Sequence, residues 1–414
     1  MNHEVRNRLI LATLVLACLA LSTMATESLA QQLVEGTKPL KVFILAGQSN
    51  MQGHAHIRTF DPMRLDPKTA PILKEMLGAD GTPRVCEKVW ISSIGCAEEE
   101  QVGKLTAGFG AAANGPKIGP EFTFGIYMQK LVDEPILIIK TAWGGKSINT
   151  DFRPPSAGPY EFNDTQLARF KEQGKDIQQI KADRAKATGH YYRLMIDHVK
   201  KVLADIKRVC PNYQPKQGYE LAGFVWFQGW NDMVDGSTYP NRGKPGSYDK
   251  YSEALAHFIR DVRKDLSAPG MPFVIGVMGA GGPIDKYPPQ KQRYSGIHGE
   301  FRKAMAAPAA LPEFHGNVAA VWTEKYWDME LEELRAKDAE IQQKLRQLQD
   351  EGKLNRGEAR AALEKQRAEA FNERELEILT KSVSNFEFHY LGSAKIMAQI
   401  GKGFAEAMFE MMDK

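Results

Sequence analysis

The sequence predicts an α/β protein: a three-layer α/β/α sandwich around a central five-stranded parallel sheet, with a helical hairpin inserted late in the chain. Three observations lead there. Short, almost uninterrupted apolar runs recur between longer stretches of helical periodicity. Those runs are apolar at successive positions, as strands covered by helices on both faces must be. One late segment is charged throughout yet keeps apolar residues at alternating spacings of four and three, the pattern of a helix-helix seam.

Five strands are expected, at 40–46 (LKVFILA), 135–140 (PILIIK), 221–227 (LAGFVWF), 271–278 (MPFVIGVM) and 317–322 (NVAAVW). Between them, 191–209 carries Leu194, Met195, Val199, Val202, Leu203 and Ile206 at helical spacing, and 248–266 carries Tyr251, Leu255, Phe258, Ile259 and Val262. Residues 392–412 read as the terminal helix. Alternation of strand and helix implies a doubly wound sheet. In such sheets ligands bind beyond the carboxyl ends of the strands, which is where chemistry is sought.

The charged segment spans 327–381. Trp327, Leu331, Leu334, Ile341, Leu345 and Leu348 keep a heptad spacing, with Asp338 interrupting one core position. Glu351-Gly352-Lys353 breaks this helix. A second is expected over 357–379, with Ala361, Leu363, Phe371, Leu376 and Leu379 available for packing. The reading is an antiparallel hairpin that either rests on the domain or serves as an arm for a protein partner or self-association. It holds no candidate catalytic group, so replacing 329–379 is expected to spare the chemistry.

At the N-terminus Arg6 and Arg8 precede an apolar run of 13 residues, 9–21, and Ser28-Leu29-Ala30 follows. This is the layout of a secretory signal peptide over 1–30. The run falls short of the ~20 residues of a membrane span, and no other long apolar stretch exists. The mature chain, with its domain over 38–414, is therefore expected to be exported (periplasmic or secreted) and without an integral span. With 54 basic against 51 acidic side chains, a nucleic-acid partner held by a strong basic excess is not expected. Cys18 would leave with the signal. Cys86, Cys96 and Cys210 remain, and Cys86 and Cys96 lie ten apart, where export would permit a disulfide. No CxxC or Cys/His cluster is present, so no metal site is expected; His54 and His56 read as loop histidines.

Three strand ends and one late loop carry unusual polar residues. Gly47-Gln48-Ser49-Asn50-Met51 places a serine just past a buried strand, where a nucleophile is needed. Thr141-Ala142-Trp143-Gly144-Gly145-Lys146-Ser147 offers a glycine turn whose amides can approach a ligand. Gln228-Gly229-Trp230-Asn231-Asp232 offers an asparagine as a further oxyanion donor. His389, in Phe386-Glu387-Phe388-His389 before the last helix, can act as general base.

Taken in that order, these blocks resemble the SGNH (GDSL-like) hydrolase superfamily, of flavodoxin-like fold. Gln48-Ser49-Asn50-Met51 and Trp226-Phe227-Gln228-Gly229 look like its sialate O-acetylesterase and acetylxylan-esterase branch, carbohydrate esterase family six. The resemblance covers about 41–412 apart from the helical insertion. It implies an exported serine esterase that removes O-acetyl groups from an acetylated carbohydrate through an acyl-enzyme, with no cofactor. Position by position, it makes Ser49 the nucleophile and oxyanion donor, Asn231 the oxyanion asparagine and His389 the base. The oxyanion glycine falls on Gly144 or Gly145, with Gly145 preferred. The superfamily's Asp three residues before the histidine is Phe386 here. Glu387, two before it, is then the expected acid, with Asp232 or a backbone carbonyl as alternatives. Gln48, Gln228, Gly144 and Trp230, at the same strand ends, are expected to contact substrate. Trp143, Trp230 and Trp322 lie where they could stack on sugar rings. The rival expectation is a weak or inactive carbohydrate-binding or scaffold protein on the same fold, using the hairpin as its arm.

Overall fold

The computed structural model describes residues 38–413, so the signal read at 1–30 lies outside the described residues. Seven strands form the central sheet: β1 Leu40–Gly47, β2 Val89–Ile94, β3 Gln101–Lys104, β4 Ile136–Ala142, β5 Tyr219–Phe227, β6 Phe273–Val277 and β7 Val318–Trp322. Their order is β3-β2-β4-β1-β5-β6-β7. Neighbours run parallel except β3, which pairs antiparallel with β2. The five expected strands are β1, β4, β5, β6 and β7; the count of five is corrected to seven. β2 (VWISSI) escaped because Ser92 and Ser93 interrupt its apolar run, and β3 (QVGK) is a short, partly exposed edge.

The main helices are α1 Pro120–Leu131, α2 His190–Ala204, α3 Asp249–Asp265, α4 Ser295–Ala306, α5 Met329–Asp350, α6 Arg356–Ala370, α7 Glu373–Lys381 and α8 Ala394–Met412. Side-chain alternation along β5 defines the three layers. Phe224 and Trp226 meet Phe258 of α3. Phe227 meets Phe404 of α8 on the other face, and Gly223 lets Met408 of α8 approach so closely that a Cβ would lie 2.2 Å from its sulfur. α1 packs against α8 and presents Phe124 to Phe43 of β1. In α2, Met195, Val199 and Val202 are buried as expected, but Leu194 lies outside the buried stripe and is 38% exposed.

β1 sits between β4 and β5. The chain leaves β1 toward β2 and β4 on one side and returns to β5 on the other, so the carboxyl end of β1 opens at a topological switch point. Gly47 ends β1 there. A Cβ on it would stand 2.2 Å from the Phe227 carbonyl, so only glycine lets the ends of β1 and β5 come together.

The insertion is helical, with one change from expectation. Its second arm breaks at Phe371, and Asn372 starts α7 with a capping box. Asp338, the interruption in the heptad, is buried and holds Arg367 of α6 through two 2.6 Å bonds. Leu331, Leu334, Phe371, Ile378 and Leu379 belong to the main core, whereas Leu345 and Ala359, though buried, lie outside it. Removal of all of 329–379 would therefore strip core side chains. The base is also tied down by charge: Arg64 pairs with Glu377, Lys395 with Asp328, and Lys291 with Glu332. Cys86, Cys96 and Cys210 are free, buried thiols, so Cys86 and Cys96 are not joined. Burial raises Cys86 to about 11 and Cys210 to about 12.

Candidate active site

Beyond β1 the chain turns through Ser49–Gln52. Ser49 is 9% exposed, and its Oγ has Gln48 Nε2 at 3.5 Å. The back of this turn is held from below. Lys140 of β4, fully buried, donates to the Gln52 and Phe109 carbonyls at 2.8 Å and pairs with Glu121 of α1 at 2.7 Å. Glu121 in turn accepts from the Gly119 amide. A buried ion pair with all its partners in place fixes geometry more than it stabilises; here it fixes the turn that carries Ser49.

Gln48 and Gln228 act as braces. They are 1% and 2% exposed. Gln48 Oε1 accepts from Gln228 Nε2 at 3.2 Å and from the Gly229 amide at 3.1 Å. Gln48 Nε2 donates to Asn231 Oδ1 at 3.0 Å, which leaves the Asn231 amide nitrogen to point elsewhere. Burial and mutual hydrogen bonding occupy both of these side chains, which were expected to face substrate. Asp232 is also removed from the histidine. It is 1% exposed, and its carboxylate accepts from Gln228 Nε2 at 2.6 Å and the amides of Ile148 and Asn149 at 2.9 and 3.1 Å. Burial pushes it up to about 6 against those donors. It braces the loop after β4 that carries Gly144 and Gly145.

Of the two glycines, Gly144 lies against the serine. A Cβ there would be 3.0 Å from Gln52 Oε1 and 3.9 Å from Ser49 Cβ, whereas a Cβ on Gly145 would meet nothing. Gly145 instead supplies the positive φ of 73° that turns the loop. Both glycines thus belong to the turn beside Ser49, Gly144 by proximity and Gly145 by its conformation.

His389 lies in a tight reversal between α7 and α8 that packs against the Ser49–Gln52 turn. Tyr390 and Leu391 have φ of 52° and 59°, a conformation unfavourable for non-glycine residues. Both side chains are fully buried, and Tyr390 Oη accepts from the Gly279 amide at 2.7 Å. Core anchorage over-determines the strained backbone. The His389 imidazole donates from Nδ1 to Asn385 Oδ1 at 2.9 Å. Asn385 Oδ1 also accepts from the Phe386 amide at 2.8 Å, which sets the orientation of the side-chain amide. Its nitrogen faces His54 Nδ1 at 3.5 Å. With Nδ1 protonated, Nε2 carries the lone pair, and burial holds this imidazole down to about 4. The His54 ring stacks on His389 at 3.9 Å with 3° between planes; burial, and secondarily charge on His389, lowers His54 to about 3.

Glu387 does not reach His389. Its carboxylate pairs with Lys291 at 3.0 Å, and Lys291 also holds Glu332 of α5 at 2.6 Å. The expected Glu387–His389 contact is replaced by Asn385–His389, because the reversal turns residue 387 toward the 287–291 loop. No Ser49–His389 hydrogen bond is formed among the described residues; the two stand on adjoining turns. Asn385 went unrecognised in the sequence and His54 read only as a loop histidine, although His54 follows Ser49 by five residues and Asn385 precedes His389 by four. A further serine–histidine pair, Ser92 of β2 and His198 of α2 at 2.9 Å, is buried in the core.

A cleft of about 470 Å³ is lined by Trp230 and Phe388, the chain neighbours of Asn231 and His389, with Tyr287, Tyr294, Arg242, Lys291 and Glu387. Trp230 lines this cleft. Trp143 packs instead against Tyr191 and Phe152, and Trp322 lies on the edge strand β7. Among the described residues no group of His, Cys, Asp and Glu could hold a metal ion.

Three solved structures resemble the chain. A protein from Arabidopsis thaliana is 16% identical with a TM-score of 0.37, covering 69% of this chain and 86% of its own. XAC1771, a carbohydrate acetylesterase from Xanthomonas citri, is 15% identical with a TM-score of 0.34; the match covers 68% of this chain and 49% of that one. NanS is 13% identical with a TM-score of 0.38, covering 69% and 78%. No curated protein sequence matches. The sequence profile of carbohydrate esterases described as sialic acid-specific acetylesterases matches residues 39–308, well over half of the chain. On that match, the chain belongs to the sialic acid-specific acetylesterase family of carbohydrate esterases.

Proposed function

We propose that this carbohydrate esterase is a serine O-acetylesterase in which Ser49, His389 and Asn385 act together on an O-acetylated sugar. What supports the reading is one juxtaposition: at the switch point of the sheet, a serine flanked by Gly144 and Asn231 adjoins a histidine whose Nδ1 is held by a neutral amide. Ser49 Oγ attacks the acetyl carbonyl carbon while His389 Nε2 takes its proton. The carbonyl oxygen becomes an oxyanion, met by the Ser49 amide, the glycine turn and Asn231 Nδ2. Collapse breaks the bond to the sugar oxygen, which receives the proton from His389, leaving acetyl-Ser49. Water, deprotonated by His389, then releases acetate. Hydrogen bonds between nucleophile and base are often long without substrate and tighten around it. Asn385 fixes the tautomer but supplies no charge, so the imidazolium is stabilised less than by a carboxylate. That same observation favours the second reading, a weak or inactive carbohydrate-binding protein.

One assay separates the two. The parent protein should hydrolyse 4-nitrophenyl acetate and release acetate from O-acetylated xylo- or sialyl-saccharides. Ser49→Ala should lower turnover by about 10³-fold or more. A parent protein with no turnover on any of these, yet with measurable sugar binding, would favour the second reading. Export after removal of 1–30 is part of the proposal; N-terminal sequencing of the mature protein from its native cell checks it.

A further inference from the structure

We propose that Phe386 and Phe388 form an aromatic strip that stacks on sugar rings beyond the acetylated one, so that the site takes an O-acetylated oligosaccharide or polysaccharide in preference to an acetylated monosaccharide. The inference rests on the reading above and adds the size class of the substrate. Phe386 is 70% exposed, and Phe388 lines the cleft. The backbone of Phe386 is pinned. Its amide donates to Asn385 Oδ1, and its carbonyl accepts from the amides of His389 and Leu391 at 3.0 Å. Buried Tyr390 and Leu391 anchor the same reversal, so the backbone that presents the ring is fixed together with the placement of His389.

The rings form a continuous row. Phe388 stands edge-on to His389 at 4.4 Å. Phe386 stacks on Phe388 at 5.3 Å with 13° between planes. Trp230 leans on Phe388 from the cleft side at 5.6 Å. A lone exposed ring in a rigid loop leaves apolar area in water that a ligand would cover. The occupant is argued from what surrounds the strip. It is narrow, begins at His389, and is flanked in the cleft by Arg242, Lys291 and Glu387. A pyranose presents an apolar C–H face for the rings and hydroxyls at its rim for the charges. A protein partner would need a broader apolar surface than two rings.

The test separates binding from turnover. In the Ser49→Ala background, calorimetry measures affinity for a panel of O-acetylated xylo- and sialyl-oligosaccharides and for the acetylated monosaccharides of the same sugars. The oligosaccharide bound best should lose about 3- to 10-fold in affinity on Phe386→Ala, from loss of one aromatic contact. The monosaccharide should lose less. Phe386→Tyr should restore binding, and Phe386→Leu should not. With Ser49 present, the ratio of kcat/KM for oligosaccharide over monosaccharide should fall by the same factor in Phe386→Ala. Equal losses for both ligands, no loss, or full restoration by leucine would overturn the strip. A parent protein that binds acetylated oligosaccharides through Phe386 yet hydrolyses no acetyl ester would instead sink the esterase reading and leave the strip standing.

Discussion

Asn385→Asp is the most informative single change, because it keeps the shape of the side chain and adds the charge that the site lacks. In the parent, His389 Nδ1 lies 2.9 Å from Asn385 Oδ1, and burial holds the ring down to about 4. A general base works only when neutral, so activity should persist as pH falls until it approaches that value. A carboxylate at residue 385 would favour the imidazolium. Two unit charges about 4 Å apart attract by roughly 4 kcal/mol at an effective dielectric constant of 20, and burial of the new charge opposes part of this. An opposite charge in contact typically raises such a pKa by ~1–3 units, equivalent to about 1.4–4 kcal/mol. The acid limb of kcat/KM against pH should therefore move upward by ~1–3 units, with turnover above it raised by the same stabilisation in the transition state. Asn385→Ala should lower turnover by about 10- to 100-fold without raising the limb. The assay is 4-nitrophenyl acetate hydrolysis across pH, with acetate release from an acetylated sugar as a second readout. A limb that stays in place in Asn385→Asp, or moves down, would refute the assignment of Asn385 to His389.

Four further outcomes are expected. Lys140→Met leaves Glu121 buried and unpaired, and should destabilise the fold by about 3–5 kcal/mol in denaturant unfolding; Lys140→Met with Glu121→Leu should recover most of that. Replacing residues 342–363 with a short Gly/Ser linker removes Leu345 and Ala359, which lie outside the main core, and keeps Asp338 and Arg367; kcat/KM on an aryl acetate should stay within about twofold, since loop closure changes slowly with length. His54→Ala removes the ring stacked on His389 and should lower kcat by about tenfold with little change in KM, because orientation rather than binding is lost. Burial depresses His54 to about 3 and His198, His298 and His389 to about 4, from an ordinary 6.5. The unfolded chain binds those protons first, so thermal stability should fall as pH drops from about 6.5 toward 4, and His198→Gln should flatten the slope.

Much of the fold could be read directly from residues near one another in the chain. A strand buried on both faces must be apolar at successive positions, and β1, β4, β5, β6 and β7 are. The hairpin's alternating spacing of four and three announced two packed helices. Ser49 just after β1 and Asn231 just after β5 were legible because their strands' carboxyl ends must share one edge of the sheet. β2 was illegible for the converse reason: Ser92 and Ser93 are buried by neighbouring elements rather than by a local pattern. Phe371 looked like an ordinary packing residue within one helix, but the capping box at Asn372 ended one helix and began another.

The sequence by itself determined the doubly wound architecture, the order of the polar blocks along the chain, and the place of Ser49 just past the end of β1. The tertiary structure alone decided which groups those residues touch. Glu387 is two residues from His389 and carries the charge that a triad calls for, but Lys291 draws it away from a loop distant in sequence. Asn385 reaches Nδ1 because Tyr390 and Leu391, anchored in the core, force the chain to double back. Gln48 and Gln228 are occupied by one another across 180 residues. Hydrophobic periodicity is a property of neighbouring residues and survives in one dimension. Hydrogen-bond partnership is a competition among all polar groups that the fold brings within about 3 Å, and its winner is settled only when the chain has folded.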